Sequence, residues 1–378
     1  MTIPNVPIWR PSDRLHLPPL EQHLTADACI VGLGGSGLTC IAALLDAGKS
    51  VIGVDAGVIA GGAAGRNGGF LLGGLAMFHH NAVARIGRHA AVAIYQKTLE
   101  QIGRMADDTP AAVRRTGSLR IAVSAEEHDD CVRQLDSMRR DALPVEPYDG
   151  PEGTGLLFPN DAAFDPGARC QALARRAIAR GARLFERSPA VTIGDGAVET
   201  PSGRVHAEHI VVAVDGRLEC VLPELAPRVR TARLQMLATE PTHQITLPRP
   251  VYARWGMDYW QQRADGSVVL GGCRDVGGDA EWTRAATPTA PVQDALTSLL
   301  RERLGVRAPV THRWAASVGY TENGMPVLEQ PRPGVWAIGG YSGTGNVIGA
   351  LCGRAVAELI TGQGTELAEL LCTGEARS

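Results

Sequence analysis

Ala28-Cys-Ile-Val31, then Gly32-Leu-Gly34-Gly35-Ser36-Gly37, then an apolar-patterned stretch from Leu38 to Ala47, then Val51-Ile-Gly-Val-Asp55, decides the fold. The order reads as strand, glycine turn, helix, strand and acidic residue. Ala28 to Val31 is a short apolar run ending at glycine, the pattern of a parallel strand buried on both faces. Leu38, Ile41, Ala42, Leu44 and Leu45 recur at helical spacing, and Gly48 stands where a C-terminal cap glycine is common. Gly32 makes the tight turn, Gly34 lets backbone approach a pyrophosphate, and Gly37 lets the helix pack closely on the strand. Phosphates would sit on the helix N-terminus, with Ser36 in its first turn, where free N–H groups and the dipole favour anions. Asp55, with Ala56 beside it, stands where a carboxylate can hydrogen-bond ribose hydroxyls, and its charge disfavours a 2′-phosphate. The glycine turn alone is also compatible with other α/β proteins, and its flanking elements make the adenine dinucleotide the better reading.

The 378 residues suffice for two units, each with its own core. Hydrophobic content of 44% and charged content of 20% describe an ordinary globular chain. A net charge of -3 gives no electrostatic reason to expect nucleic acid or an anionic membrane. No apolar run has the roughly 20 residues of a membrane helix, and the proline-rich start lacks a signal pattern, so a cytoplasmic protein is expected. The eight cysteines form no CxxC pair and read as scattered thiols, neither a disulfide framework nor a zinc site.

Pro18-Pro19-Leu20 ends an extended arm. After Asp55, the stretch from Gly61 to Gly69 is either a flexible linker or a loop whose backbone closes on a flat ligand, and its position favours the ligand. Helical character is expected over 82–107, 126–143, 168–180 and 291–304, and a strand over 117–123. The segments 190–193, 196–200 and 205–214 read as a meander returning the chain to the first sheet. Residues 229–318 are mainly strands. Five of the six tryptophans and four of the six tyrosines lie beyond residue 250; core packing and an apolar substrate pocket both explain them.

The last element, Val335-Trp-Ala-Ile-Gly339-Gly340-Tyr341-Ser342-Gly343-Thr344-Gly345-Asn346 followed by 347–360, repeats the logic of the first. A strand, a glycine turn and a small-residue helix make a second N-terminus facing an anion. A nicotinamide dehydrogenase has no general need of it. A reduced flavin does, because its ring carries negative charge that a helix N-terminus stabilises, so the cofactor expected is FAD. The alternatives are an NAD-linked dehydrogenase and a flavin-binding protein without amine turnover.

With these segments the chain resembles the D-amino-acid-oxidase-like superfamily of FAD-dependent oxidoreductases, the glycine and sarcosine oxidase type, and within it the gamma-glutamylputrescine oxidase-like branch. The resemblance is carried by Pro18-Pro19-Leu20, the Gly65-Arg66-Asn67-Gly68-Gly69 core, Phe164-Asp165-Pro166, Leu222-Pro223-Glu224-Leu225, Leu237 to Pro241, Gly271-Gly272, His312-Arg313-Trp314, Gly319-Tyr320-Thr321 and Gly340 to Gly343. It implies a discontinuous, glutathione-reductase-type Rossmann-like FAD domain from residues 1–80 (arm 1–25), 156–225 and 329–378. It also implies an α+β substrate domain on a mostly antiparallel sheet from residues 81–155 and 226–328. It implies that Val191 touches adenine through its backbone, and that Gly65, Arg66, Asn67, Gly68 and Gly69 together with Gly343, Thr344, Gly345, Asn346 and Val347 line the flavin.

Three departures from the resemblance matter. Val318 stands where sarcosine oxidases link a cysteine to flavin, so the FAD is expected to be non-covalent. Neither Lys49 nor Lys97 matches the lysine those oxidases use on oxygen, which leaves O2 or another electron acceptor open. Val214-Asp215-Gly216 replaces a Thr-Gly or Thr-Asn pair, a change expected to act on the adenosine side. The expected reaction is hydride transfer from the α-carbon of a small amine or amino acid to flavin N5, giving an imine; no acid or base is required, and no catalytic side chain is assigned. Tyr259, Arg274, Trp314 and Tyr341 are the substrate candidates. Tyr341 either reaches the pocket or packs under the ring, Arg274 pairs with a substrate carboxylate or a surface acid, and Trp314 reads more as core. His79-His80 reads as a solvated loop pair, and without a third ligand no metal is assigned.

Overall fold

A computed structural model describes residues 3–372. It divides into two compact units, each assembled from separate pieces of chain. One comprises residues 10–65, 166–231 and 318–378, and the other residues 1–9, 66–165 and 232–317.

The dinucleotide motif organises the first of these. His23–Val31 is its central strand, paired in parallel with Val51–Val54 on one side and Arg204–Val212 on the other. The register sets Cys29 opposite Ile52 and Ile210, so a row of apolar side chains crosses the sheet. Arg183–Phe185 extends it beyond Val51–Val54, and Val335–Gly339 pairs in parallel with Arg204–Val212. The expected meander, Thr192–Gly194 to Ala197–Glu199 to Arg204–Val212, is antiparallel and brings the chain back beside the first strand. The helices Gly35–Asp46 and Ile348–Thr361 meet closely. A Cβ at Gly353 would lie 2.4 Å from the carbonyl oxygen of Ser36, so glycine is what permits that approach.

The other unit is built on an eight-stranded sheet in the order 310–321, 229–241, 267–271, 258–262, 251–253, 118–121, 153–158 and 146–150. From 229–241 to 146–150 its pairings are antiparallel except where Val251–Ala253 runs parallel to Ser118–Ile121. Trp260, Leu237, Leu270 and Val251 fill its core together with Val292, Leu296 and Leu300. These last three come from the helix Ala290–Ser298 and the π-helical turn that continues it to Arg303.

One expected helix is two. Gly87, at φ +82°, ends His79–Ile86 and precedes Arg88–Asp108. The same region corrects the reading of His79-His80. His79 opens a helix and is buried, with its Nε2 2.6 Å from Asp141 Oδ2, and Arg88 reaches the same carboxylate. His80 faces Asp130 at 3.7 Å. Adjacent histidines looked like loop residues because the apolar partner, Tyr95, whose ring meets His79 edge-on at 5.8 Å, is remote in sequence.

Candidate cofactor and substrate site

The helix Gly35–Asp46 starts with Gly34 in extended backbone and no side chain bonded to its end. Helix geometry leaves the N–H groups of Gly35, Ser36 and Gly37 without carbonyl partners inside the helix, and the dipole adds partial positive charge there. Crowding dictates the glycines. Gly32 adopts φ +107°, and a Cβ on Gly37 would stand 2.0 Å from the Gly32 carbonyl oxygen. A Cβ on Gly34 would come within 3.1 Å of the Ala64 methyl and narrow the cradle over the helix end. Asp55 braces this turn, its Oδ2 accepting the Leu33 N–H and its Oδ1 the Gly57 N–H, each at 2.8 Å. Burial raises its pKa against the pull of those donors. Each oxygen keeps a second lone pair, so a bracing role and a ribose contact are compatible. Ala56 beside it is exposed.

The second glycine turn has a comparable brace that the sequence did not suggest. Asp215 Oδ1 accepts the Tyr341 N–H at 3.1 Å and Oδ2 the Gly319 N–H at 3.3 Å, with the N–H groups of Gly216 and Gly340 also directed at the carboxylate. Burial pushes its pKa up to about 6 despite these donors. The Asp215 carboxylate thus holds the turn before the helix Ile348–Thr361. Ser342 N–H donates to Gly319 at 2.9 Å, and Thr344 returns both its N–H and its hydroxyl to the Tyr341 carbonyl. Thus Gly343 is left exposed, with Thr344, Gly345 and Asn346 half-buried and Val347 buried at the head of the helix.

Tyr341 lies beneath this turn. It is 3% exposed, and a Cβ at Gly345 or Gly349 would come within 2.8 and 3.1 Å of its ring. Tyr341 is therefore packed inside its own unit, against Gly345 and Gly349. Val191 is 62% exposed at the start of the meander, and its N–H already donates to the Glu199 carbonyl at 2.8 Å. Of its backbone polar groups, the carbonyl remains for an adenine contact.

In the other unit, the loop Arg66–Gly69 is tethered through four consecutive carbonyls. Trp314 Nε1 donates to Arg66 O at 2.9 Å, Trp9 Nε1 to Asn67 O at 2.7 Å, and Gln261 Nε2 to Gly68 O and Gly69 O at 2.5 and 2.8 Å. The Arg66 guanidinium is bonded to Asn5 and to the Ala315 carbonyl, and Asn67 Oδ1 accepts the Gly69 N–H. Trp314 is fully buried, so it is core and it holds the loop. Tyr259 packs with Trp9 and Trp314 and meets Phe70 edge-on at 6.0 Å. Gly271 makes room for it, since a Cβ there would lie 2.4 Å from the ring. Arg274 is elsewhere, its guanidinium 4.7 Å from the Trp282 ring centroid. Trp9 and Gln261 escaped the sequence reading, because an arm residue and a polar strand residue carry no local sign of the carbonyls they meet.

Lys97 lies on an exposed helix face with Glu100 at 3.3 Å, and Lys49 lies in the turn before Val51. Among the described residues no group of three or more histidine, cysteine or acidic side chains is arranged for a metal, and no helix is long and apolar enough to cross a membrane.

Residues 27–359 match the DAO family, described as FAD dependent oxidoreductase. The chain is 27% identical over 394 residues to the probable oxidoreductase OrdL of Rhizobium meliloti (strain 1021), spanning 97% of this chain and 88% of that one. It is 26% identical over 381 residues to the gamma-glutamylputrescine oxidoreductase of Escherichia coli (strain K12), spanning 91% and 85%. Its fold is similar to that of glycine oxidase from Geobacillus kaustophilus, with a TM-score of 0.73 at 20% identity over 89% and 95% of the two chains. With both glycine turns and their helix N-termini in place, the chain belongs to the DAO family of FAD-dependent oxidoreductases.

Proposed function

We propose that this protein oxidises the C–N bond of a small amine or amino acid, primary or secondary, to an imine, passing the electrons to O2 or another acceptor. The observation that carries the reading is the pair of braced glycine turns, each opening onto a helix N-terminus in the same unit. The names of similar proteins, a gamma-glutamylputrescine oxidoreductase and a glycine oxidase, support an amino compound as substrate.

The residues fit FAD. The turn Gly32–Gly37 offers donors and a cradle that a Cβ would fill, Asp55 offers acceptor capacity, and the 343–347 turn offers a second dipole end. When bound, the flavin supplies the hydride acceptor at N5. Arg66–Gly69, tethered by its carbonyls, would line that ring, and Val318 leaves the attachment non-covalent. Tyr259, half-buried beside Gly68, is the substrate contact we favour; Arg274, on Trp282 at the start of the short helix Arg274–Gly277, is the group that would pair with a substrate carboxylate. These side chains orient the amine and exclude water, and water hydrolyses the released imine. Only a neutral amine has the lone pair that assists loss of hydride, so turnover rises with pH until the bound amine is deprotonated. A cytoplasmic location fits this chemistry.

The test is the visible spectrum of the purified protein, followed anaerobically while polyamines, N-methyl amino acids and amino acids are added. A flavin band bleached by one of them supports the reading, and readmitted air then identifies or dismisses O2 as acceptor. A flavin band that no amine bleaches favours a binding role without turnover.

A further inference from the structure

The Tyr341 hydroxyl is an orphan. It is buried, has no hydrogen-bond partner, and belongs to a side chain 3% exposed. A buried hydroxyl without a partner costs the fold what solvation would have supplied, so a native structure that keeps one calls for a reason. Phenylalanine would fill the same space without that cost.

Its position supplies the reason. The Tyr341 ring and the Ser36 side chain converge on Gly349: a Cβ there would lie 3.1 Å from Tyr341 Cε2, 3.3 Å from Cζ and 3.4 Å from Ser36 Cβ. Ser36 is therefore the polar side chain that faces the phenol, near enough to favour loss of its proton, yet the pair falls short of a well-formed hydrogen bond. Ser36 is also in the first turn of the helix whose free N–H groups would receive a pyrophosphate. Burial holds the Tyr341 pKa well above 10, so the group stays a protonated donor across the working range. Two hydroxyls and an anion site thus lie in series, and each hydroxyl can donate once and accept at the same time.

We infer that Tyr341 is a positioning residue for the dinucleotide: its hydroxyl donates to Ser36 Oγ once the Ser36 hydroxyl hydrogen is turned to a phosphate oxygen at the first helix. The orphan is satisfied in the loaded protein and unsatisfied in the empty one. Because Tyr341 N–H is held by Asp215, this contact also ties the phosphate turn to the flavin turn. The inference rests on FAD binding at the two turns and adds to it a residue on which that binding depends.

The experiment compares Tyr341→Phe with the parent protein, each freed of flavin and then titrated with FAD, with ADP and with adenosine. FAD affinity is expected to fall about tenfold, ADP affinity by a similar factor and adenosine affinity not at all, as for one lost hydrogen bond in a chain ending on an anion. The flavin-free variant should melt at or above the parent, while the rise in melting temperature on adding FAD should shrink. Ser36→Ala should weaken FAD to a similar degree, and the double variant no further, because the two hydroxyls act in series. Unchanged FAD and ADP affinity in Tyr341→Phe overturns the inference. So does a flavin-free variant that melts well below the parent, which would make the hydroxyl structural. If the parent itself binds no FAD, the proposed function fails first, and that outcome is seen before any variant is made.

Discussion

Asp215 accepts the Tyr341 N–H at 3.1 Å with one carboxylate oxygen and the Gly319 N–H at 3.3 Å with the other, joining the end of one parallel strand to the turn that follows another. Asp215 itself sits at φ +53°, where asparagine is as comfortable as aspartate. Asp215→Asn therefore keeps the backbone but turns an NH2 group toward backbone donors. The expected result is unchanged far-UV circular dichroism with FAD bound roughly tenfold more weakly, the scale of hydrogen bonds to a charged acceptor. Flavin fluorescence titration measures it. The pH dependence follows from the raised pKa. Below about 6 the carboxyl takes up a proton and becomes a poorer acceptor, so FAD affinity should fall with pH in the parent and stay flatter in Asp215→Asn.

Asp161 gives a stability prediction of definite sign. It is 3% exposed, it accepts the Ser118 hydroxyl at 2.6 Å and the Gly73 N–H at 2.8 Å, and burial pushes its pKa up to about 7. The folded state thus binds the proton more tightly than the unfolded chain, where the value is 3.8. Its contribution to stability is fullest below about pH 4 and is lost as pH rises towards about 7. Asp161→Asn should remove that slope, read as the difference between the denaturant midpoints of parent and variant across the window. Parallel pH profiles for the two proteins would show that Asp161 titrates normally.

Trp314 tests the tethered loop. Trp314→Phe keeps most of the buried ring but orphans the Arg66 carbonyl, now held at 2.9 Å. The expected cost is about 1–3 kcal/mol of unfolding free energy, with a shifted flavin absorption band. Loss of stability without any spectral change would detach the loop from the flavin.

The βαβ motif was legible because its requirements are local: buried strand, glycine turn, helix and acid all lie within Ala28–Asp55. The return of the chain to that sheet through 190–214 was legible for the same reason, each strand being followed by its own turn. Side-chain tethers were not. Trp9 reaches Asn67, and Gln261 reaches Gly68, across gaps in sequence with no period to reveal them. Asp215 stood out as a departure after a parallel strand, but the partners its carboxylate meets, from residues 319 and 341, are remote in sequence. A motif shows where backbone must come close, and what holds it there comes from tertiary packing.

Gly62 separates the two readings of the loop after Asp55. A Cβ there meets nothing within 4 Å, and its backbone is not in the left-handed region, so the protein itself tolerates alanine at this position. Gly62→Ala should leave the melting temperature of the flavin-free protein unchanged or slightly raised, since alanine loses less backbone freedom on folding. If the small residues exist to admit a ligand, the same methyl group intrudes on FAD, and affinity should drop more than tenfold while the empty protein is unaffected. If the loop is a linker, neither quantity moves. Gly37→Ala is the control in the opposite sense. Its methyl would stand 2.0 Å from the Gly32 carbonyl oxygen, a contact that backbone must shift to relieve. That variant should lose the fold and the cofactor together, so loss of FAD without loss of fold at Gly62 reports the ligand and not the scaffold.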